Sequence, residues 1–199
     1  PTCLRILGQW LMLYTPVVLT LIRRIDVYRV IGLIKHAAGI SAMLAVLTTG
    51  ASANLITNSG FEAGDTGFSS AYSNVGDVYD AKTYMVTSNP INGHFAAASY
   101  GDHTTGNGLM MAINGSDTAG DTIWSQTISV AAGTAYDFGA YISSWSPVNP
   151  AELDFIVNGT SIGTLSAPAA TGLWELAFAT WNSTTNTTAV IEIHNLNIE

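Results

Sequence analysis

Ala151-Glu152-Leu153-Asp154-Phe155-Ile156-Val157-Asn158-Gly159-Thr160-Ser161-Ile162-Gly163-Thr164-Leu165 is the stretch on which the fold turns. Leu153, Phe155 and Val157 alternate with Glu152, Asp154 and Ile156, the period of a strand with one buried face. Asn158-Gly159 follows, the dipeptide that closes two-residue hairpins of type I′, because both of its residues tolerate a positive φ. A second β-rich run begins at Thr160. The segment therefore predicts two antiparallel strands over 151–157 and 160–165.

Working outward, the same period recurs. Tyr136, Phe138, Ala140 and Ile142 share one parity, and so do Trp124, Ile128 and Val130. Trp174, Leu176 and Phe178 alternate with Glu175 and Ala177, which predicts that the first three face the core and that Trp181 faces away from it. Further strands are expected over 55–57, 82–87, 94–100, 108–114, 121–130, 134–144, 173–181 and 187–198. Ala131-Ala132-Gly133-Thr134, Asn114-Gly115 and Asn92-Gly93 punctuate them. Helical periodicity is absent after Asn54. This many short strands, with turn residues every eight to twelve positions, reads as an antiparallel β-sandwich.

Charge divides the chain of 199 residues in two. Five of its six basic residues are Arg5, Arg23, Arg24, Arg29 and Lys35; Lys82 is the sixth. Residues 54–199 hold that one lysine against thirteen acids, a net charge of −12. Such a body cannot neutralise a phosphate backbone, which excludes nucleic acid as a partner. The single cysteine, Cys3, excludes an internal disulfide framework and a cysteine-based zinc site.

Residues 1–53 read as an N-terminal hydrophobic, helical targeting segment. The apolar run 36–50 follows Arg29 and Lys35 and ends in Ala51-Ser52-Ala53, the pattern of a signal peptide over about 30–53 cut before Asn54. Ile6–Ile22 is a second apolar run, closed by Arg23-Arg24. It reads either as upstream sequence translated in frame or as a membrane anchor. Together these imply export to the cell surface or beyond.

The opening Asn54-Leu55-Ile56-Thr57-Asn58-Ser59-Gly60-Phe61-Glu62 resembles that of secreted jelly-roll modules of the galactose-binding-like, carbohydrate-binding type. The ordered series that follows extends the likeness over nearly all of 54–199. It runs through Asp102-His103-Thr104, Asn114-Gly115, Trp124-Ser125-Gln126, Tyr136-Asp137-Phe138, Asn158-Gly159, Trp174 and Ala179-Thr180-Trp181-Asn182-Ser183. Modules of this kind occur in bacterial exported surface proteins, some carrying a C-terminal PEP-CTERM sorting tag. The resemblance implies a further closing strand after Asn195-Leu196-Asn197-Ile198-Glu199, so 54–199 reads as a domain lacking its final strand. Any C-terminal anchor would lie beyond it. It also implies a structural calcium, with Glu62 matching the ligating glutamate and Asp65, Asp77 and Asp80 as weaker candidates.

The chemistry the residues themselves suggest is binding rather than catalysis. No serine stands in a G-x-S-x-G elbow, and Asp102-His103-Thr104 reads as a loop cap. Glu152 and Asp154 share the solvated face of a strand, where paired acids serve solubility. Sugar binding needs aromatic faces for the rings of the ligand. Trp145, in the loop 144–150, either supplies such a face or covers the end of the domain; loops are where binding residues concentrate. Trp181 and Tyr141, on the non-core parity of their strands, are the other two candidates. The expectation is a non-enzymatic surface or extracellular module that binds a polysaccharide or glycan. The alternatives are a structural or adhesive surface protein, or the accessory domain of a larger secreted enzyme.

Overall fold

The computed structural model describes residues 54–198, together with the backbone of residues 3–7. The strands are β1 (Cys3–Leu7), β2 (Ser73–Asn74), β3 (Thr83–Thr87), β4 (Met110–Asn114), β5 (Thr122–Ser129), β6 (Ala135–Ser144), β7 (Glu152–Val157), β8 (Thr160–Ser166), β9 (Glu175–Asn182) and β10 (Thr188–Asn195). They form two sheets. One has the order β2-β3-β4-β1-β6-β9, the other β5-β10-β7-β8. Every ladder is antiparallel except the short β2–β3 pair. The described chain is thus all-β, as the sequence reads, with one 3-10 turn at Pro90–Asn92.

The main apolar core lies between the sheets. Tyr136, Phe138, Ala140 and Ile142 of β6 meet Leu153, Phe155 and Val157 of β7, with the rings of Phe138 and Phe155 5.2 Å apart. The β7–β8 hairpin closes as its sequence requires: Asn158 and Gly159 take φ of 50° and 76°. The Asn158 side chain then ties the turn to β10, accepting from the Val190 N–H at 2.8 Å. The short link after Ala131, by contrast, is not a hairpin. It carries the chain from β5 in one sheet to β6 in the other.

Three expectations need correction. Residues 94–100 are not a strand. Asn89-Pro90 starts a 3-10 turn instead, and the N–H groups of His94 and Ala97 bond back to Pro90 and His94. On β9 the faces are reversed. Ala177 is 5% exposed, whereas Leu176 and Phe178 are 45% and 62% exposed. The pairing with β6 decides this: Ala140 stands opposite Ala177, Phe138 opposite Ala179 and Tyr136 opposite Trp181. Cross-strand partners share a face, so β6 carries the alanines and Trp181 inward. The run 55–57 is also turn rather than strand.

Of the N-terminal segment, Cys3–Leu7 is a strand, not a helix, and sits in the middle of the first sheet. The signal-peptide run, the cut after Ala53 and most of Ile6–Ile22 lie outside the described residues. No helix among the described residues is long and apolar enough to cross a membrane.

Candidate functional site

The segments on either side of β3 build a separate small layer over the loop after β6; its buried centre is Trp145, packed with Val78 and Ala97. Asn89 organises it. Its Oδ1 accepts from the N–H groups of Ile91 (3.2 Å) and Tyr100 (3.3 Å), and its Nδ2 donates to Ser99 Oγ. Gly93 sits close against the layer: a Cβ there would press on the Met85 thioether and the Val78 side chain. The Val78 N–H donates to the Gly93 carbonyl, which places Tyr79 beside His94.

The outcome is an aromatic platform. The rings of Tyr79 and His94 lie 4.6 Å apart, those of His94 and Phe95 5.4 Å apart and nearly parallel at 11°. Tyr79 is 48% and Phe95 77% exposed. Beneath them His94 packs against the Trp145 indole at 4.7 Å. Burial holds the His94 pKa below its ordinary value, so the ring is neutral at pH 7, although Asp77 pulls the other way. The His94 Nδ1 accepts from the Ala96 N–H at 3.2 Å, which leaves the ring proton on Nε2 as a donor. A flat apolar face with a donor at its margin and a carboxylate nearby can stack on a ring and bond its hydroxyls.

Trp145 is therefore not the ligand platform that its loop position suggests. It is 2% exposed, and its Nε1–H donates to the Ile113 carbonyl at 3.2 Å. An enclosed indole has no face left to stack; it supports the rings above it. Trp181 is half-buried against the main core, 6.1 Å from Tyr136. Tyr141 does face away from the core, but His103 covers its ring at a centroid distance of 3.5 Å. The three predicted residues are not brought together. His94 and Phe95 are hidden in the sequence because 94–100 reads as a strand, though the Asn89-Pro90 dipeptide signals a turn; Tyr79 joins them only through the Val78–Gly93 backbone bond.

Glu62 and Asp102 hold a second feature, the loop 101–109. Asp102 Oδ2 accepts from the N–H groups of Thr104 and Thr105, both at 2.9 Å. Its Oδ1 accepts from the Thr105 hydroxyl (2.7 Å) and the Gly108 N–H (2.6 Å). Burial alone would raise this carboxyl; the bonds from Thr105, Gly108 and Thr104 outweigh it and bring the pKa down to about 2. The folded pKa is depressed, so the stabilisation is present above pH 4 and is lost as pH falls from about 4 towards 2. Acid titration of unfolding should lose about 2 kcal/mol in that window, and an Asp102→Asn variant should lack this component.

Glu62 Oε1 accepts from the Leu109 N–H at 2.9 Å, a tether from the opening segment to this loop. Both oxygens of Asp102, the carboxylate across Gly108 from it, are taken by donors. Calcium seeks six to eight oxygens. Among the described residues no group of three or more acidic, histidine or cysteine side chains could hold a metal. Asp65 is likewise engaged, accepting from the Tyr84 hydroxyl at 2.5 Å. No such cluster surrounds Glu62 among the described residues, and no calcium enters the function proposed below.

Compared with known proteins, the chain matches no family model, no curated protein and no solved structure.

Proposed function

We propose that residues 54–199 form a jelly-roll β-sandwich of galactose-binding-like type that works as a non-enzymatic, exported binding module for carbohydrate. The observation that carries this reading is the platform of Tyr79, His94 and Phe95, two exposed rings flanking a half-buried imidazole over a buried tryptophan. Phe95 already lies against the His94 and Tyr79 rings, so its exposed face is available to stack on a sugar ring. The acidic, lysine-poor body suits a soluble surface module, and the signal-like front end supports export.

Retention on a panel of soluble and insoluble polysaccharides tests it. Phe95→Ala and Tyr79→Ala should each weaken retention about tenfold, equivalent to ~1.4 kcal/mol. Leu176→Ser, on the outer face of β9, should leave it unchanged. Equal retention by the wild type and both platform variants, or no retention on any polysaccharide, would refute the proposal. A structural or adhesive role is the second reading. It rests on the exposed apolar side chains of Leu173, Leu176 and Phe178, which suit a protein partner better than a sugar.

A further inference from the structure

β4 and β6 do not pair with each other. β1 lies between them, antiparallel to both: Arg5 stands opposite Ala112 and Ser143, and Ile6 opposite Met111 and Ile142. The flanking strands are deeply buried. All five residues of β4 are buried, as is every residue of β6 from Phe138 to Ser144 except Tyr141. Two strands with one between them stand roughly 9–10 Å apart, too far to bond directly. Without an occupant, each would present a row of unpaired N–H and C=O groups inside the sheet, which is costly.

The occupant comes from outside the 54–198 body, across the intervening residues 8–53. Charge favours its docking. Residues 1–53 carry five basic residues and one acid, against the net −12 of residues 54–199. Backbone bonds along both edges supply the affinity, as in other strand-addition modes.

We propose that the gap between β4 and β6 is a strand-acceptor groove, that residues 3–7 are its donor strand, and that the donor stays bound when the polypeptide between them is cut. The expected cleavage after Ala53 would then leave a non-covalent complex rather than a bare body. The groove takes an extended strand with apolar residues at alternate register positions, such as Leu4 and Ile6.

The register gives a direct test on the full chain. Cys3 is the sole cysteine and stands opposite Asn114. Directly paired antiparallel residues have Cα atoms about 4.5–5.5 Å apart, within disulfide range. Mild oxidation of Asn114→Cys should form an intramolecular disulfide, so that tryptic peptide Pro1–Arg5 stays with the body until reduction. Free alkylation of Cys3 in a chain that melts cooperatively would overturn the proposal. Because the Asn114 amide donates to the Tyr79 carbonyl, a second pair tests the β6 side: Leu4→Cys with Ser144→Cys in a Cys3→Ser background. Arg5→Pro, which removes an N–H from mid-sheet, should lower the melting temperature by roughly 10 °C. An unchanged melt would also overturn it. Wild-type chain nicked by trypsin at Arg23 or Arg24 should keep its N-terminal fragment through gel filtration. Loss of the fragment from a body that melts as before would refute the non-covalent retention.

Discussion

Replacing Trp145 with alanine should lower the unfolding free energy by about 3–5 kcal/mol, the range for deleting a large buried aromatic side chain. The indole fills the centre of the small layer against Val78 and Ala97, and no other side chain there can take its volume. Its loss also removes the bond that Nε1 donates to the Ile113 carbonyl. Trp145→Phe keeps part of the packing but no donor, and should fall between the two. Urea unfolding with an unchanged m-value checks both. The same alanine variant should lose polysaccharide retention, since His94 rests on the indole and Phe95 on His94. A variant with wild-type stability and no retention would instead make Trp145 a direct ligand contact.

Gly101→Ala is the second change with a large expected effect. A Cβ at position 101 would lie 1.7 Å from the Gly106 carbonyl oxygen, and that neighbour is backbone, not the end of a flexible side chain. The loop 101–108 must open to admit it. Opening separates Asp102 from the donors on Thr104, Thr105 and Gly108 and leaves a carboxylate without the partners that offset its burial. The cost should reach about 3 kcal/mol. The variant should also lose the stability change between pH 4 and 2, because the Asp102 pKa returns upward. Gly76→Ala is the control: nothing lies within 4 Å of its added Cβ, and the effect should stay within about 0.5 kcal/mol. Equal stability of the two variants would show that the loop is not closed as described.

Strands whose local pattern agrees with their tertiary role were legible in the sequence. β6 and β7 alternate cleanly, and Asn158-Gly159 pairs β7 with β8, so the core residues Phe138, Ile142, Leu153 and Phe155 could be named from spacing. β9 could not be oriented that way. It is an edge strand with apolar residues on both faces, and its phase is imposed by the partner β6 rather than by its own pattern. The aromatic platform was hidden for a related reason. Phe95 is an aromatic in a short apolar run, which reads as buried strand, yet the 3-10 turn begun at Pro90 lifts it to the surface. Trp145 misled in the opposite direction. Its loop position is real, but the layer built by residues 75–100 covers it, and a covering segment distant in sequence leaves no mark on local spacing. The strand position of Cys3–Leu7 was equally out of reach, because the groove it fills is made by two strands more than a hundred residues downstream.

The way the chain passes between the sheets has a kinetic consequence. From β4 to β10 every connection changes sheet except the β7–β8 turn. Neighbours in space are therefore mostly distant in sequence: β5 pairs with β10, β6 with β9, and β4 and β6 both with β1. Loops of this length must close before their contacts repay the lost entropy. The β7–β8 hairpin can form on its own within microseconds. The rest waits for long-range closure, so the body should fold in milliseconds to seconds.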